Sequence, residues 1–416
     1  MIKASALHLV LVISLVVSII LGSLIYLHYF FRIQQQRFDR WHELENELDA
    51  TTSLLLSNYF NYTLSDSSIR SPTTMRDSVR VKKQTWGMLD LITINASRQD
   101  DSLNRAFFAG NTPIDSTALY IVDEERSVSI SGETDIKGDA FIPKLGINPA
   151  FVDGEYYKGV KELVDGKKFE STSSLPTIER VHIEQVHQLL DQIPPENDYR
   201  LKPSSGLANS FYNEPWKLRV NETLKVTQDS VIGNIILVSD STLTISSTCK
   251  WEHAILIAKT IKIEEGFKGK GQFFALDSLI VENNVQLAYP SVLGLVDTKE
   301  NNINRKLSIG ENCAIRGLIF LHRENIETQM DILEVGKNST IEGEVISCGL
   351  FKYTDPLEIR GSLYCYRMIT QRPSSLYENY LINLKLKHTN QSPYFVKPHF
   401  WEIGDTRKLA IIAWLK

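Results

Sequence analysis

Apolar and polar positions follow three different rhythms along this chain. The first has no polar rhythm: from Ala4 to Phe31 no residue carries a formal charge, and most are Leu, Ile, Val, Ala or Phe. About 20 apolar helical residues cross a bilayer, so residues 4–31 predict a single membrane span contacting lipid. A cleavable signal has a shorter apolar region of about 7–15 residues ending in a small-x-small site. This run ends instead in His28-Tyr29-Phe30-Phe31-Arg32, which predicts a retained anchor over residues 1–35. The second rhythm is helical. Trp41, Leu44, Leu48 and Leu55 recur at steps of a helical face with acidic and basic residues around them, predicting a juxtamembrane helix over residues 36–62. Its stripe either docks on the chain's own body or receives a partner helix.

The third rhythm is a repeat. An apolar residue, a variable one and a β-branched one recur as Leu224/Val226, Leu243/Ile245, Ile261/Ile263, Leu279/Val281, Leu307/Ile309, Leu333/Val335 and Leu357/Ile359. Short alternating runs bounded by Gly, Asn, Asp or Ser at such a period predict stacked coils of parallel strands, each coil burying its apolar face against the next. Residues 218–370 therefore read as a β-helix. An earlier copy lies at Val128, where Val128, Ile136 and Gly138 keep the spacing of Leu307, Ile315 and Gly317 and of Leu333, Ile341 and Gly343. Glycine at the third position suits a backbone turn between strands.

The fold class expected is thus mainly β: one N-terminal transmembrane helix, then a β-helix (β-solenoid) body with a helical insertion. Residues 63–144 form a β-rich segment holding the first coil, with 64–83 a loop and strands near Leu89–Ile94 and Ala118–Val122. Residues 145–217 form an insertion that splits the solenoid. It carries one helix from Thr177 to Ile193, stopped by Pro194-Pro195. Residues 371–416, with Tyr394, Phe395, Phe400 and Trp401, read as a C-terminal cap over one end of the stack, because an open end exposes strand edges.

Composition narrows the function classes. With 416 residues, 43% hydrophobic, 23% charged and a net charge of −5, the chain offers no basic surface for nucleic acid. Arg80-Val81-Lys82-Lys83 and Lys167-Lys168 are short runs that read as solvated surface. The four cysteines, Cys249, Cys313, Cys348 and Cys365, match no compact zinc spacing. Coil stacking leaves a Cys313–Cys348 or Cys348–Cys365 bridge open beside buried free thiols.

Candidate chemistry is thin. His182 and His187 stand five apart with Glu184 between them, whereas zinc on a helical face takes histidines four apart, so a surface helix is expected there. Gly266, Gly269 and Gly271 form a Gly-rich turn without the strand-then-helix setting that cradles phosphate. Glu264, Glu265, Glu282, Glu311, Glu334, Glu342 and Glu344 fall in the coils, yet no paired Asp-Asp signature accompanies them, and Asp100-Asp101 sits in a polar loop. No catalytic, cofactor-binding or metal residue is assigned, and no cofactor is expected.

The plan resembles a group of single-span envelope proteins of the Bacteroidetes type, through the basic start MIKASAL, ALYIVDEERSVSISGETDIKGDAFIPKLGI, SPYFVKPHFWEIGD and the closing AIIAWLK. That resemblance implies an envelope location and a β-rich body, and it brings no assigned activity. The N-terminal helix is distantly similar to those of minor pilin and pseudopilin subunits, although the processing site and the acidic residue inside the helix are lacking. The coils are similar to those of bactofilin-type scaffolds, which are much smaller. Basic residues Arg32, Arg37 and Arg40 flank the span on its C-terminal side, which by charge alone would keep the body in the cytoplasm. The resemblance implies an extracytoplasmic, periplasmic body. The expectation is a membrane-anchored, non-catalytic structural or assembly component with protein partners at the juxtamembrane helix or residues 145–217, or as a homo-oligomer. The alternative is a membrane-tethered carbohydrate-binding or carbohydrate-cleaving β-helix.

Overall fold

The structure, a computed structural model, describes residues 2–57, 66–70, 78–112, 116–159, 162–192, 206–220, 223–227, 230–297, 305–324, 331–392, 395–402 and 409–416. Tyr394 of the expected aromatic cap and Pro194-Pro195 lie outside them. The chain divides into two compact units.

The first unit comprises Met1–Leu55, Tyr59–Lys82 and Ile94–Arg105. One unbroken helix, α1 (Ile2–Leu56), spans both the expected anchor and the juxtamembrane segment. Its apolar side chains from Leu7 to Phe31 are exposed, and it is long and apolar enough to cross a membrane. Leu44, Leu48 and Leu55 are buried, while Trp41 is 46% exposed, so the stripe docks on its own unit except at its start. Ion pairs from the same stretch of helix fix it to two strands: Arg40 to Asp101 at 2.7 Å, Asp49 to Arg105 at 2.6 Å, and Glu43 to Arg98. Asp101 is therefore not an idle loop residue. Nor are the described parts of residues 64–83 a loop: β1 (Asp66–Arg70) pairs antiparallel with β2 (Ser78–Trp86). The basic run hid a period-2 strand in which Val79 and Val81 are buried between polar neighbours.

The second unit comprises Leu56–Asn58, Lys83–Thr93 and Ala106–Lys416. It takes in the start of β3 (Leu89–Arg98), the end of β4 (Asp101–Asn111) and β5 (Thr117–Ile121), all stretches buried along their length. It is mostly β, and its strands join in a closed order in which nearly every pairing is parallel. Three apolar ladders run through it. In one, Leu224, Leu243, Ile261, Leu279, Leu307 and Leu333 follow one another in direct register. These are the first six of the seven repeats seen in the sequence. The seventh is not the next rung: Leu333 pairs with Phe351, and Phe351 with Met368. Leu357/Ile359 belongs to the second ladder, where Leu287, Ile315, Ile341, Ile359, Leu386 and Ile136 are in register. Leu357 resembles Leu333 in pattern because both ladders point one apolar residue in two inward.

The third ladder corrects the expected order of coils. From Leu218 it passes through Leu237, Leu256, Phe273, Leu293, Ile319, Val345 and Leu363, then reaches back in sequence to Leu119 and Ala140. The early copy thus shares the coil geometry, with Ile136 in the ladder of Ile315 and Ile341, but it follows the last repeat and does not precede the first. Residues 145–217 do not interrupt consecutive coils; they lead from the rung at Lys168–Glu170, which pairs with Asp139–Ile142, back to that at Trp216–Val220. Leu384–Lys387, expected within a terminal cap, is itself a rung between Leu357 and Asp135.

Glycine is required at one stacked position of neighbouring strands. Gly317, Gly343 and Gly361 are in register with φ of 142°, 144° and 148°. A Cβ on Gly343 would lie 1.8 Å from the Gly317 carbonyl oxygen. Gly138 has φ of 130°, as the shared sequence spacing foretold.

The third ladder is apolar on both faces. Leu237, Leu256 and Phe273 point into the main core, while their neighbours Ile236, Ile255 and Phe274 enter a second core. A strand buried on both faces reads as a continuous hydrophobic run. The covering layer is built from Trp86, Met88 and Leu89, Phe108, Phe211, the apolar face of α2 (Arg180–Gln192) and Phe400. The helix of the insertion and the aromatic group near residue 400 therefore cover a side of the strand stack.

Candidate functional site

The covering layer brings three potential ligands together. Asp90 lies near the start of β3, His182 in the first turn of α2, and His399 in the segment 395–402. That segment is tied down by backbone bonds on both sides. Asn111 and Lys397 exchange N–H···O bonds of 2.8 and 2.7 Å, and the His399 N–H donates to the Met88 carbonyl at 3.0 Å. The Glu179 N–H then donates to the Phe400 carbonyl at 2.8 Å, and the Glu402 N–H to that of Thr177 at 2.9 Å. The short strand-like segment therefore bridges β3–β4 and the start of α2, setting His399 between Asp90 and His182.

Asp90, His182 and His399 are 1%, 3% and 2% exposed. His399 Nε2 stands 3.0 Å from Asp90 Oδ2, and His182 Nε2 stands 3.5 Å from Asp90 Oδ1. The two imidazoles stack at 4.6 Å. Lys83 Nζ approaches Asp90 Oδ2 to 2.9 Å, and Asn111 Nδ2 meets His399 Nδ1 at 3.0 Å. Among the described residues neither nitrogen of His182 has a hydrogen-bond partner, and the close approach of His399 Nε2 to Asp90 Oδ2 is not a hydrogen bond.

Burial pushes the Asp90 carboxyl up, but its interactions with His399, His182 and Lys83 together hold it well below the usual carboxylate range. Burial pushes the His182 imidazole down, against the pull of Asp90. The result is an anionic carboxylate beside a neutral imidazole, the protonation states in which both bind cations.

His182 is thus not the surface histidine that its spacing from His187 suggested; helix position relative to a distant strand decides its burial. Asp90 and His399 carried no sequence signal, since ligands from three separated segments have no motif spacing. Only the apolar face of the α2 segment hinted that residues beside Ile183 and Val186 would be buried.

The coil carboxylates are held in ion pairs. Glu264 meets Lys225 at 2.5 Å, Glu282 meets Lys262 at 2.8 Å, Glu311 meets Lys337 at 3.5 Å, and Glu342 meets Arg316 at 3.2 Å. Glu334 lies between Lys306 and Lys352, Glu344 is buried against Lys397, and Glu265 accepts from Asn284. Hydrogen bonds from Lys225 and Lys262 lower the pKa of Glu264 and Glu282 respectively. For Glu334, burial pushes upward but Lys306 and Lys352 outweigh it. A glycosidic general acid needs the opposite shift.

Gly266 occupies a turn, while Gly269 and Gly271 lie within the strand Lys268–Val281, where Gly271 makes room for the Trp251 indole. All four cysteines are buried thiols, none of them in a disulfide. Cys365 is in register with Ser347 and not Cys348, and burial pushes the Cys348 thiol up to about 12.

No protein-family model and no curated protein matches the chain. Among solved structures, the competence-associated pilin ComZ from Thermus thermophilus aligns over 89% of this chain and 97% of its own, at 8% identity and a TM-score of 0.20. At that score the alignment does not establish a common fold.

Proposed function

We propose that this chain is a single-span, membrane-anchored structural component of the cell envelope, with a β-solenoid body outside the cytoplasm and no catalytic role. The observation that carries the reading is the continuity of α1. Its apolar half has no protein cover, and its polar half is fixed by ion pairs to the strands of its own unit. Such a helix holds a body at a membrane surface and does not serve as a core element. The solenoid reading rests on the three parallel ladders, each advancing one rung per coil. The ion pairs of the coil carboxylates, and the lowered pKa values of Glu264, Glu282 and Glu334, weigh against the carbohydrate-cleaving alternative. Protein partners are assigned to the juxtamembrane part of α1 and to residues 145–217, where Leu145, Phe151, Tyr156 and Phe169 are exposed.

Fractionation and protease accessibility in spheroplasts test this reading. The full chain should resist alkaline extraction from membranes, a variant lacking residues 2–31 should be released, and added protease should digest the body in intact spheroplasts. Crosslinking in membranes should then recover a defined partner or homo-oligomer. A body protected from protease, or a monomer without partners, would count against the envelope-assembly role.

A further inference from the structure

We propose that Asp90, His182 and His399 form a binding site for one divalent transition-metal ion of the zinc class, which clasps the segment 395–402 and α2 onto β3. The donor set is chemically apt: two imidazoles and one carboxylate are typical ligands of such ions. The spacing also fits. Bonds of about 2.0–2.1 Å in a tetrahedral arrangement place ligand atoms about 3.3 Å apart; His182 Nε2 lies 3.5 Å from Asp90 Oδ1 and His399 Nε2 lies 3.0 Å from Asp90 Oδ2, so the two imidazoles face different oxygens of one carboxylate. The three ligand atoms all lie within 4.8 Å of one another.

The independent observation is His182. Both its ring nitrogens are buried without a hydrogen bond, in a covering layer whose nearest chain neighbours include Ile183 and Val186. A buried polar group left unsatisfied costs about 1–3 kcal/mol. Ion pairing sets one imidazole against each oxygen of Asp90, His399 at 3.0 Å and His182 at 3.5 Å, yet leaves Nε2 of both rings without a hydrogen bond among the described residues. A cation uses the Nε2 lone pair of both rings at once.

The second layer is consistent with coordination. Asn111 faces Nδ1 of His399, and its own Oδ1 is buried without a partner. Turning that amide by 180° lets Oδ1 accept from Nδ1–H, which frees Nε2 of His399 as a ligand; an oriented imidazole of this kind is the usual arrangement around metals. Lys83 competes for Asp90, but its side chain is 23% exposed and its ammonium has a route to solvent.

The test uses the full chain in mild detergent. After equilibration with zinc and removal of the free ion, elemental analysis should find about one zinc per chain. The His182→Gln/His399→Gln double variant should hold at least tenfold less. Zinc should raise the thermal midpoint of the parent and leave that of the double variant unmoved. Because the double variant could lose its fold, cobalt(II) added to the parent supplies a second readout. Visible absorption bands of a nitrogen- and oxygen-ligated ion, bleached by stoichiometric zinc, are expected. A folded parent that takes up neither zinc nor cobalt overturns the proposal, as does a double variant that keeps its metal. Lys83→Met separates the ion-pair explanation. If the cluster is only a salt bridge, the variant is destabilised with or without zinc. If it is a metal site, zinc restores the midpoint of the parent.

Discussion

Leu119 lies beside Leu363 in parallel register, and Tyr120 beside Tyr364. A strand from early in the chain is therefore one rung beyond a strand from near its end. Deleting the inner side chain of this rung should unsettle both segments together. Leu119→Ala, at a position with no exposure, is expected to cost about 2–5 kcal/mol in denaturant unfolding. Hydrogen exchange should show amides 119–121 and 363–365 opening as one unit. If residues 117–142 opened alone while 357–371 kept full protection, the rung would not couple the two segments.

Glycines on the same chain should differ sharply in their tolerance of a methyl group. Gly343→Ala sets a Cβ against the Gly317 carbonyl at 1.8 Å and also retains a φ of 144°. Backbone must move, and the variant should fail to yield a folded body. Gly154 has φ of 86° with nothing within 4 Å of its Cβ, so Gly154→Ala carries only conformational strain, about 1–2 kcal/mol. Thermal unfolding of the two variants side by side is the measurement. Equal effects would mean that the stacked glycines are not held by their neighbours.

The elements most legible in the sequence were those defined by local periodicity. The long apolar N-terminal helix, the helix of the insertion, and the ladder from Leu224 to Leu333 need only alternating or helical spacing. The copy at Val128 was readable because its Gly138 must adopt the backbone conformation shared by Gly317 and Gly343. What escaped was set by long-range choice. Nothing local tells Leu119 that its partner is Leu363, or tells Leu357 that it joins a different ladder from Leu333. The same holds for the Asp90, His182 and His399 cluster, whose members meet only because segment 395–402 is hydrogen-bonded to β4 and to the start of α2. The strand at Ser78–Trp86 was obscured for a different reason, since Arg80, Lys82 and Lys83 masked the alternation of Val79 and Val81.

Acid should weaken the fold through two histidines outside that cluster, the half-buried His253 and the buried His322. Burial drives both His253 and His322 from the ordinary 6.5 down to about 4. The folded state keeps each ring neutral, whereas the unfolded chain protonates it near 6.5. Their contribution is therefore fully present above about pH 6.5 and is lost progressively as the pH falls towards 4. Each group adds up to about 1.4 kcal/mol per pH unit to the slope across that window. His253 has φ of 63°, so His253→Asn is the replacement that suits its backbone. Urea unfolding at pH 7 and pH 4.5 should show a smaller acid loss in the His253→Asn/His322→Asn variant than in the parent. An unchanged loss would assign the acid sensitivity to other groups.

Arg305 ties three neighbouring rungs through one guanidinium. Its Nε donates to Asp331 Oδ2 at 3.0 Å, Nη1 donates to the Val296 carbonyl at 2.7 Å, and Nη2 donates to the His322 carbonyl at 2.9 Å. The side chains of Arg305 and Asp331 are each 1% exposed, and Arg323 Nε lies 3.4 Å from the same carboxylate oxygen. Removing one member of a buried pair leaves the other charged and desolvated, which costs about 3–5 kcal/mol, whereas replacing both with apolar groups of similar volume is often close to neutral. Asp331→Ala should therefore lower stability by about that amount. Arg305→Met/Asp331→Leu should recover much of the loss, but not all, because the carbonyls of Val296 and His322 lose their donor. Denaturant unfolding of the parent, Arg305→Met, Asp331→Leu and the double variant gives the coupling directly. A double variant no more stable than Asp331→Ala would show that the guanidinium's bonds to the two carbonyls, and not its charge partner, hold these rungs together.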